Sequence, residues 1–480
     1  MNIKDDFILK EINEGYLVGG CVRDWLMAAD KKNFCICDRD IAIKNAESFA
    51  QKLAEQFDAT MVTLDSENHI YRVVLKDKIN YLDISEMQGD TIEDDLQRRD
   101  FAINAIAYDL KNGEFIDVTG GMDDLEKGVL RQIRDENFED DPLRVLRAYR
   151  FLAVTGFKPA EELQIALKKY QQLALNPAKE RIAYELMKLF GGDYAAKTLL
   201  LMDDGGLLEK IFPNVAEMKQ VPPNSHHHLD LFHHVVETVR QIELLYKNSA
   251  EEIQAHLKQT DFGGFPRINH LKLAGFLHDI GKFSTWTLES DTCIPENCNN
   301  CTKDSRVCGV RHRFIKHDDV GSKLVVPLLK DLKFSRKQIE YISGMIKNHI
   351  YPSNVIAAPE LNEKVMMRYI RKMDSNVIDN IILAKADRLS ALGQDITDEM
   401  IKNNINGLNT LLDFYLKKKD TLKPLPKLLD GKEIMTILNI PQSPKLGLVI
   451  KNLQEAQLNG DVVTRDDAIV FVKQLKINQK

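Results

Sequence analysis

The stretch FCICDRDIAIK, residues 34–44, sets two cysteines ahead of two aspartates, Asp38 and Asp40. Side chains alternate along a strand. Asp38 and Asp40 therefore share one face, with Cys35, Cys37, Arg39, Ile41 and Ile43 on the other. Mg2+ takes hard oxygen ligands and leaves thiols aside. Two carboxylates on one face suit a divalent metal that clamps an in-line phosphoryl displacement. An isolated D-x-D serves equally as a solvated edge strand, so the flanking sequence has to decide. Upstream, LVGGCVRD (17–24) puts Gly19 and Gly20 at a strand end, before a helix carrying Arg23 and Asp24. Glycines there let a triphosphate approach backbone N–H groups at a helix N-terminus. Arg23 adds charge-assisted hydrogen bonds. A triphosphate cradle followed by paired carboxylates is what nucleotidyl transfer requires.

A second constellation lies in DDPLRVLRAYR (140–150), where Asp141, Arg144, Arg147 and Arg150 recur at intervals of three. On a helix they form one stripe. A lone D-x-x-R is as readily a salt-bridged surface, but beside a nucleotidyl-transfer head it can read bases. Cytosine and adenine each offer an amino donor beside a ring-nitrogen acceptor, which a carboxylate and a guanidinium can meet. Guanine and uracil present an N–H and a carbonyl there, and a buried mismatch of that kind is costly. One Asp–Arg pair can thus admit CTP and ATP and reject GTP and UTP.

These motifs resemble the class II tRNA nucleotidyltransferase and bacterial poly(A) polymerase family, within the DNA polymerase beta-like superfamily. LVGGCVRDWL…DRDIAI is followed by DDLQRRDFAINAIAYD (94–109), DVTGGMDDL (117–125), DDPLRVLRAYRF (140–151) and KERIAYELMKL (179–189), in family order. The resemblance implies that Asp38 and Asp40 hold catalytic Mg2+. Asp83, in YLDIS, is the best candidate for the third superfamily carboxylate. Gly19, Gly20, Arg23, Arg99, Asp100 and Asn104 fall in motifs that contact the nucleotide. Asp141 and Arg144 match the family's amino-acid template, with Asp140 at the acidic position before it. Arg147 and Arg150 continue the nucleotide-binding stripe, and Arg181 sits where a further family arginine lies.

Further along, DLFHHVVETV, LAGFLHDIGKF and LAKADRLSA resemble the HD phosphohydrolase pattern, with His234, His278, Asp279 and Asp387 as ligands. His317 in FIKHDDVGSKLV and His349 in IKNHIYP fit its extended form. Such a set holds one or two divalent transition metals and activates water against a phosphate ester. The competing reading is a decayed domain whose histidines are structural. The resemblance implies phosphodiesterase, nucleotidase or phosphatase activity. His226, His227, His228 and His233 are expected at the surface near the site entrance rather than as ligands. Where the family has a short link before His317, this chain carries CIPENCNNCTKDSRVC, with Cys293, Cys298, Cys301 and Cys308. Four thiolates at that spacing suit tetrahedral Zn2+, with an iron–sulfur cluster or unliganded thiols as the alternatives.

Several domains have to position these groups. At 480 residues the chain exceeds one compact core. Its 44% apolar and 29% charged content reads as soluble and globular. No apolar run approaches the roughly 20 residues that span a bilayer. The charged N-terminal stretch lacks a signal-peptide core, so the cytoplasm is expected and a membrane is not. A net charge of -7 argues against general adhesion to nucleic acid, though not against a local basic groove. Residues 1–120 alternate strand-like runs (16–20, 38–43, 71–75, 79–85 and 114–121) with helical ones, as an α/β head. Residues 121–222 read as a helical neck bearing the base template and RNA contacts, ending at a Pro222–Pro223 hinge. Residues 223–395 form the HD region with its cysteine insert, 293–308. Residues 396–480 form a helical C-terminal tRNA-binding region, with a linker at 422–433, two short helices after it, and a basic cluster at Lys417, Lys418 and Lys419.

The expected fold class is therefore α+β: a polymerase beta-like head followed by all-α neck, body and C-terminal regions. The expected function is addition of CCA, from CTP, CTP and ATP, to tRNA 3′ ends. The alternatives are addition of CC or A alone, poly(A) polymerization, and an HD hydrolase whose head is an RNA-binding relic. The segment DISEMQGDTIEDD (83–95) is short where the family's loop helps full CCA-adders switch nucleotide, which keeps partial addition open. Poly(A) polymerases usually carry a basic C-terminal region that this acidic chain lacks. The intact D-x-D and D-x-x-R stand against the relic.

Overall fold

The computed structural model describes residue 3 and residues 6–28, 39–290, 310–422 and 426–477. Cys35, Cys37, Asp38 and the four cysteines of the insert lie outside the described residues. The chain packs as two compact units. One comprises Met1–Glu217, Asp261–Leu273 and Pro327–Ile339; the other comprises Met218–Thr260, Ala274–Val326 and Glu340–Lys480. Head and neck thus belong to one unit.

The head is a seven-stranded sheet in the order β3-β4-β5-β2-β1-β6-β7. The strands are β1 (Tyr16–Val18), β2 (Asp40–Ile43), β3 (Thr60–Asp65), β4 (Ile70–Val74), β5 (Tyr81–Glu86), β6 (Ala107–Asp109) and β7 (Phe115–Ile116). β1 runs antiparallel to β2 and β6, and β2 runs parallel to β5. Alternation gives the sheet two dry faces. Leu17, Ile41, Leu82 and Ile84 pack with Phe49 and Leu53 of the helix Ala46–Gln56. Val18, Ala42 and Ala107 pack with Ile92 and Leu96 on the other side. Asp40 shares the Ala42 face and is register-paired with Asp83.

Two strands escape the sequence reading. β3 is an edge strand whose residues are largely exposed, so it carries no apolar alternation. β6 is three residues long and adjoins the buried run AINAIAY, where alternation is lost.

Arg39, one residue before the strand, is fully buried. Its Nε and Nη2 donate to Asp6 Oδ1 and Oδ2 at 3.0 and 2.7 Å, and its Nη1 donates to Asn80 Oδ1 at 3.3 Å. The strand period thus turns one charge into the protein while Asp40 takes the opposite side.

In the second unit the helices Leu231–Lys247 and Val377–Ser390 pack along each other. The latter is buried over most of its circumference, as expected of an interior helix. The C-terminal helices Gly431–Leu438, Pro444–Asn459 and Arg465–Ile477 close a core around Ile434, Val449, Leu453 and Val472. The stretch 434–460 holds two helices, as expected, the second of them 16 residues long, and the helix Arg465–Ile477 follows. A capping box between Asp430 and Glu433 starts the first of them, so the linker is shorter than the sequence suggested. Among the described residues no helix is long and apolar enough to cross a membrane.

Asp6→Ala leaves a buried guanidinium without its carboxylate, which costs about 3–5 kcal/mol. Urea unfolding followed by Trp25 fluorescence in a Trp286→Phe background should show the head transition at markedly lower denaturant. An unchanged midpoint would remove the pair as an anchor of the strand.

Candidate functional site

A cleft of about 1220 Å3 opens in the first unit. Gly19, Gly20, Arg23 and Asp40 line it, together with Arg99 and Asp100. Gly19 has φ 74 and ψ -138, a conformation that suits glycine alone. A Cβ there would lie 3.5 Å from both Asp40 Oδ2 and Arg99 Nη1. The glycine thereby keeps the backbone close to a carboxylate on one side and a guanidinium on the other. Cys21 follows, its thiol donating to the Val18 carbonyl at 3.1 Å. Burial and the nearby Asp40 push this thiol up to about 12.

A continuous hydrogen-bond chain crosses the cleft floor. Arg23 Nη1 donates to Asn104 Oδ1 at 2.6 Å, and Asn104 Nδ2 donates to Asp100 Oδ1 at 3.0 Å. Asp100 Oδ1 also accepts from the Phe101 amide at 2.9 Å. Asp100 Oδ2 accepts from Arg147 Nε and Nη2 at 2.9 and 2.5 Å. Burial would raise the Asp100 carboxyl, yet Arg147 and these donors hold it below the usual range. Arg150 pairs with the buried Glu185 at 3.2 Å. Arg23, Arg147 and Arg150 lie 5.1, 5.8 and 4.1 Å from the centroid of the Phe151 ring. Three guanidinium groups therefore converge on one aromatic ring, a cradle for an anion that the i, i+3 spacing alone did not reveal.

The remaining transfer-site candidates are placed differently. Asp83 accepts from Arg72 Nε and Nη2, both at 2.7 Å, and is not among the residues that line the cleft. Arg99 donates to Asp95 at 2.8 Å. The helix begins at Arg144, and Asp141 stands before it in an extended conformation, φ -139 and ψ 96. The expected four-residue stripe is corrected here: Asp141 is not on the helix. Pro142 supplies the reason, because a residue preceding proline is steered away from the helical region. Asp141 accepts from Arg181 at 3.3 Å, and Arg144 donates to the carbonyls of Asn137 and Arg98, each at 3.0 Å.

The second unit brings all six expected histidine and aspartate ligands together. One donor atom from each of His234, His278, Asp279 and Asp387 lies within 4.8 Å of the others, and Asp279, His317 and His349 form a second such group. Asp279 belongs to both. His278, His317 and His349 each turn Nδ1 to a backbone carbonyl, of Gly275, Phe314 and Ile346, at 2.8, 2.7 and 2.7 Å. A carbonyl partner fixes the Nδ1–H tautomer and leaves Nε2 as the ligand atom. Among the described residues, His234 Nε2, His278 Nε2 and Asp279 Oδ1 are buried without a hydrogen-bond partner. Buried polar atoms left so are costly unless something else satisfies them. Burial would lower His278, but Asp279 and Asp387 raise it to about 10. The cluster's mixed nitrogen and oxygen donors fit divalent transition metals, which would take the place of the His278 Nε2 proton.

Two neighbours escaped the motif. Lys282 Nζ lies 2.6 Å from Asp279 Oδ2, as an ion pair, and 3.2 Å from His227 Nε2. His227 is half-buried, its ring 4.4 Å from that of His234. Burial and the Lys282 ammonium hold it well below the usual histidine range. His226, His228 and His233 are exposed, as expected. The HHH run concealed which of its members turns inward; only the fold distinguishes them.

Three family models match the chain: "Poly A polymerase head domain" over residues 15–131, "Probable RNA and SrmB- binding site of polymerase A" over 156–219, and "HD domain" over 231–392. The A-adding tRNA nucleotidyltransferase of Deinococcus radiodurans is 29% identical, across 95% of this chain and 94% of that protein. The CC-adding tRNA nucleotidyltransferase of Thermus thermophilus is 27% identical, across 97% and 95%. The Thermotoga maritima CCA-adding enzyme, solved with tRNA, shares the fold at a TM-score of 0.52 and 20% identity, covering 98% of this chain and 93% of that one.

Asp279→Asn should remove both ion positions, read as up to two fewer equivalents of divalent metal per chain by mass spectrometry. Undiminished metal would exclude Asp279 as the shared ligand. Asp100 supplies a pH test. Its folded pKa is depressed, so its stabilization is fully present above the unfolded value of about 4 and is lost as pH falls through the folded value. The stability gap between the parent and Asp100→Asn, measured by urea unfolding, should therefore shrink as the buffer is taken from pH 6 toward about pH 3. A gap independent of pH would contradict the assignment.

Proposed function

Because the chain belongs to the tRNA nucleotidyltransferase and poly(A) polymerase family, we propose that it extends tRNA 3′ ends by template-independent transfer of CTP, CTP and ATP. The observation that carries this reading is the meeting, in one cleft, of the Gly19–Gly20 turn, the Asp40 carboxylate and three convergent arginines. The carboxylate of Asp40 beside the turn is a hard oxygen donor, which fits Mg2+. Asp38 and Asp40 would hold it. Bound there, Mg2+ supplies activation of the terminal 3′-hydroxyl and stabilization of the leaving pyrophosphate.

The chain's own groups have separable tasks in this reading. The glycine turn and Arg23 receive the triphosphate, and Arg99 adds charge beside it. Asp100 and Asn104 hold Arg147 and Arg23 in place. Asp141 and Arg144 select the base by exchanging their present partners for base edges. Asp83, register-paired with Asp40 and engaged by Arg72, is the proposed third carboxylate. The HD cluster is proposed to hold one or two divalent transition metals and to hydrolyse a phosphate ester. Zn2+ is the proposed occupant of the cysteine insert, with an iron–sulfur cluster as its alternative. The cytoplasm is the proposed compartment, where tRNA and both triphosphates meet.

A second reading, addition of CC or A alone, is favoured by one local feature. Residues 87–91 connect β5 to the helix Ile92–Gln97 in a tight turn. Asp94 accepts from the Asp90 amide, the Thr91 amide and the Thr91 hydroxyl, each at 3.0 Å. A Cβ on Gly89 would lie 2.3 Å from Asp94 Cβ. A connection pinned in this way has little room to move between a CTP and an ATP state.

Incubation with tRNA ending in the discriminator base, in C or in CC, with each labelled triphosphate alone, tests both readings. CTP on the first two and ATP on the third is expected for full CCA addition. Incorporation confined to CTP, or to ATP on the CC-ending RNA, would select the partial enzyme, and ATP on every RNA would sink both. Asp40→Ala should lower transfer at least about 1,000-fold while metal content of the HD cluster stays unchanged.

A further inference from the structure

The cleft is larger than its nucleotide cradle. Its volume of about 1220 Å3 exceeds the roughly 300–1,000 Å3 usual for a site that holds one small molecule. Beyond the arginine cluster its lining changes character, to Val154, Tyr184, Lys188 and the loop that carries Phe265. Tyr184 is 48% exposed and Val154 51% exposed. The Tyr184 and Phe265 rings lie 5.3 Å apart at 60°. Lys188 Nζ lies 4.5 Å from the Tyr184 centroid.

The Phe265 loop is built rather than slack. Arg267 Nη1 donates to Asp261 Oδ2 at 2.6 Å, and its guanidinium lies 5.0 Å from the Phe262 centroid. Phe262 and Phe265 form an isolated antiparallel bridge. Gly263 and Gly264, at φ 63 and 77, make the turn between them in a conformation that side chains resist. Gln338 closes against Gly263, where a Cβ would meet its Nε2 at 3.0 Å, and that nitrogen lies 3.1 Å from His270 Nε2. Phe265 is thereby presented beside Tyr184 from a separate part of the chain.

We propose that Tyr184, Phe265 and Lys188 seat the 3′-terminal nucleotide of the RNA being extended. Its base stacks on the aromatic pair and its phosphate meets the Lys188 ammonium. The inference rests on the nucleotidyl-transfer reading and adds the second substrate to that cleft. Stacking suits this task, because every base has a π-face and the terminal base changes after each addition. A hydrogen-bonding pocket would instead recognise one base and reject the next. The lining of one cleft then divides the chemistry: arginines and glycine backbone for a triphosphate, aromatic rings and one lysine for a single-stranded end.

The test uses full-length protein and tRNA carrying 2-aminopurine at its 3′ terminus, whose fluorescence falls when the base stacks. Quenching is expected on binding to the parent and to Phe265→Trp, and a bright terminus on binding to Phe265→Ala or Tyr184→Ala. In turnover, both alanine variants should raise KM for tRNA about 5- to 100-fold and leave KM for CTP within about twofold. Lys188→Ala should reduce the salt dependence of tRNA binding. Thermal melting of each variant separates lost stacking from lost folding. Equal quenching by parent and alanine variants overturns the seat, as does a rise in KM for CTP that matches the rise for tRNA. Quenching needs no turnover. A parent that quenches but transfers no nucleotide overturns the transfer reading and leaves the seat standing.

Discussion

Asp100 is the buried charge on which the first unit's cleft depends. A carboxylate removed from water is tolerated only when its oxygens are matched by donors. Here the Phe101 amide, Asn104 and Arg147 supply them. Through Asn104 the same carboxylate fixes Arg23, from the helix that follows the glycine turn. Through Arg147 it fixes the helix Arg144–Thr155. Arg23, Arg147 and Arg150 repel one another around Phe151, and Asp100 and Glu185 offset that repulsion. The three guanidinium groups are therefore held together by the protein alone, which in the proposed reading spares the cost of assembling an anion site on binding.

Asp279 imposes a similar constraint on the second unit, with the opposite outcome. Its oxygens lie near four imidazole nitrogens; Oδ2 is ion-paired with the Lys282 ammonium at 2.6 Å, while Oδ1 lacks a hydrogen-bond partner among the described residues. The Nδ1 atoms of His278, His317 and His349 are already committed to backbone carbonyls. Asp100 is satisfied by protein on both oxygens, whereas in the proposed reading Asp279 Oδ1 is left for a metal ion. The two centres also differ in kind. The cleft offers oxygen donors, and the HD cluster offers nitrogen and oxygen together. In the proposed reading this difference lets one chain sort hard Mg2+ from a borderline transition metal.

Legibility in the sequence followed the range of the interaction. The face of Asp40 could be read from the strand period, because alternation is local. The six HD residues could be read from type and order, since four of them stand at or just beyond helix ends, where side chains converge. Partners far apart in sequence could not be read. Arg39 and Asp6 are 33 residues apart, and Arg147 and Asp100 are 47 apart. The pairing of Asp83 with Arg72 depends on strand register, which no motif encodes. Asp141 is the instructive case, because its local signal was present and was overridden by another. Spacing put it on the helix, and Pro142 keeps it off.

That displacement divides fixed from exchangeable contacts. Arg147 and Asp100 form a close, two-pronged ion pair in which the carboxylate is buried. Replacing it would strand a charge. Asp141, held off the helix, accepts from the Leu143 amide at 3.2 Å, and its one ion pair is a long contact with an exposed arginine, at 3.3 and 3.5 Å. Arg144 spends its donors on two neutral carbonyls. Bonds from a charged donor to a neutral acceptor contribute about 1.5–3 kcal/mol each, and a base edge offering equivalent acceptors can replace them with little net change. A template built from protein has to read more than one base, and rigid pairing at the reader would prevent that. In the proposed reading, the buried Asp100–Arg147 pair holds the frame still, while the displaced Asp141 and the loosely committed Arg144 remain able to change partners.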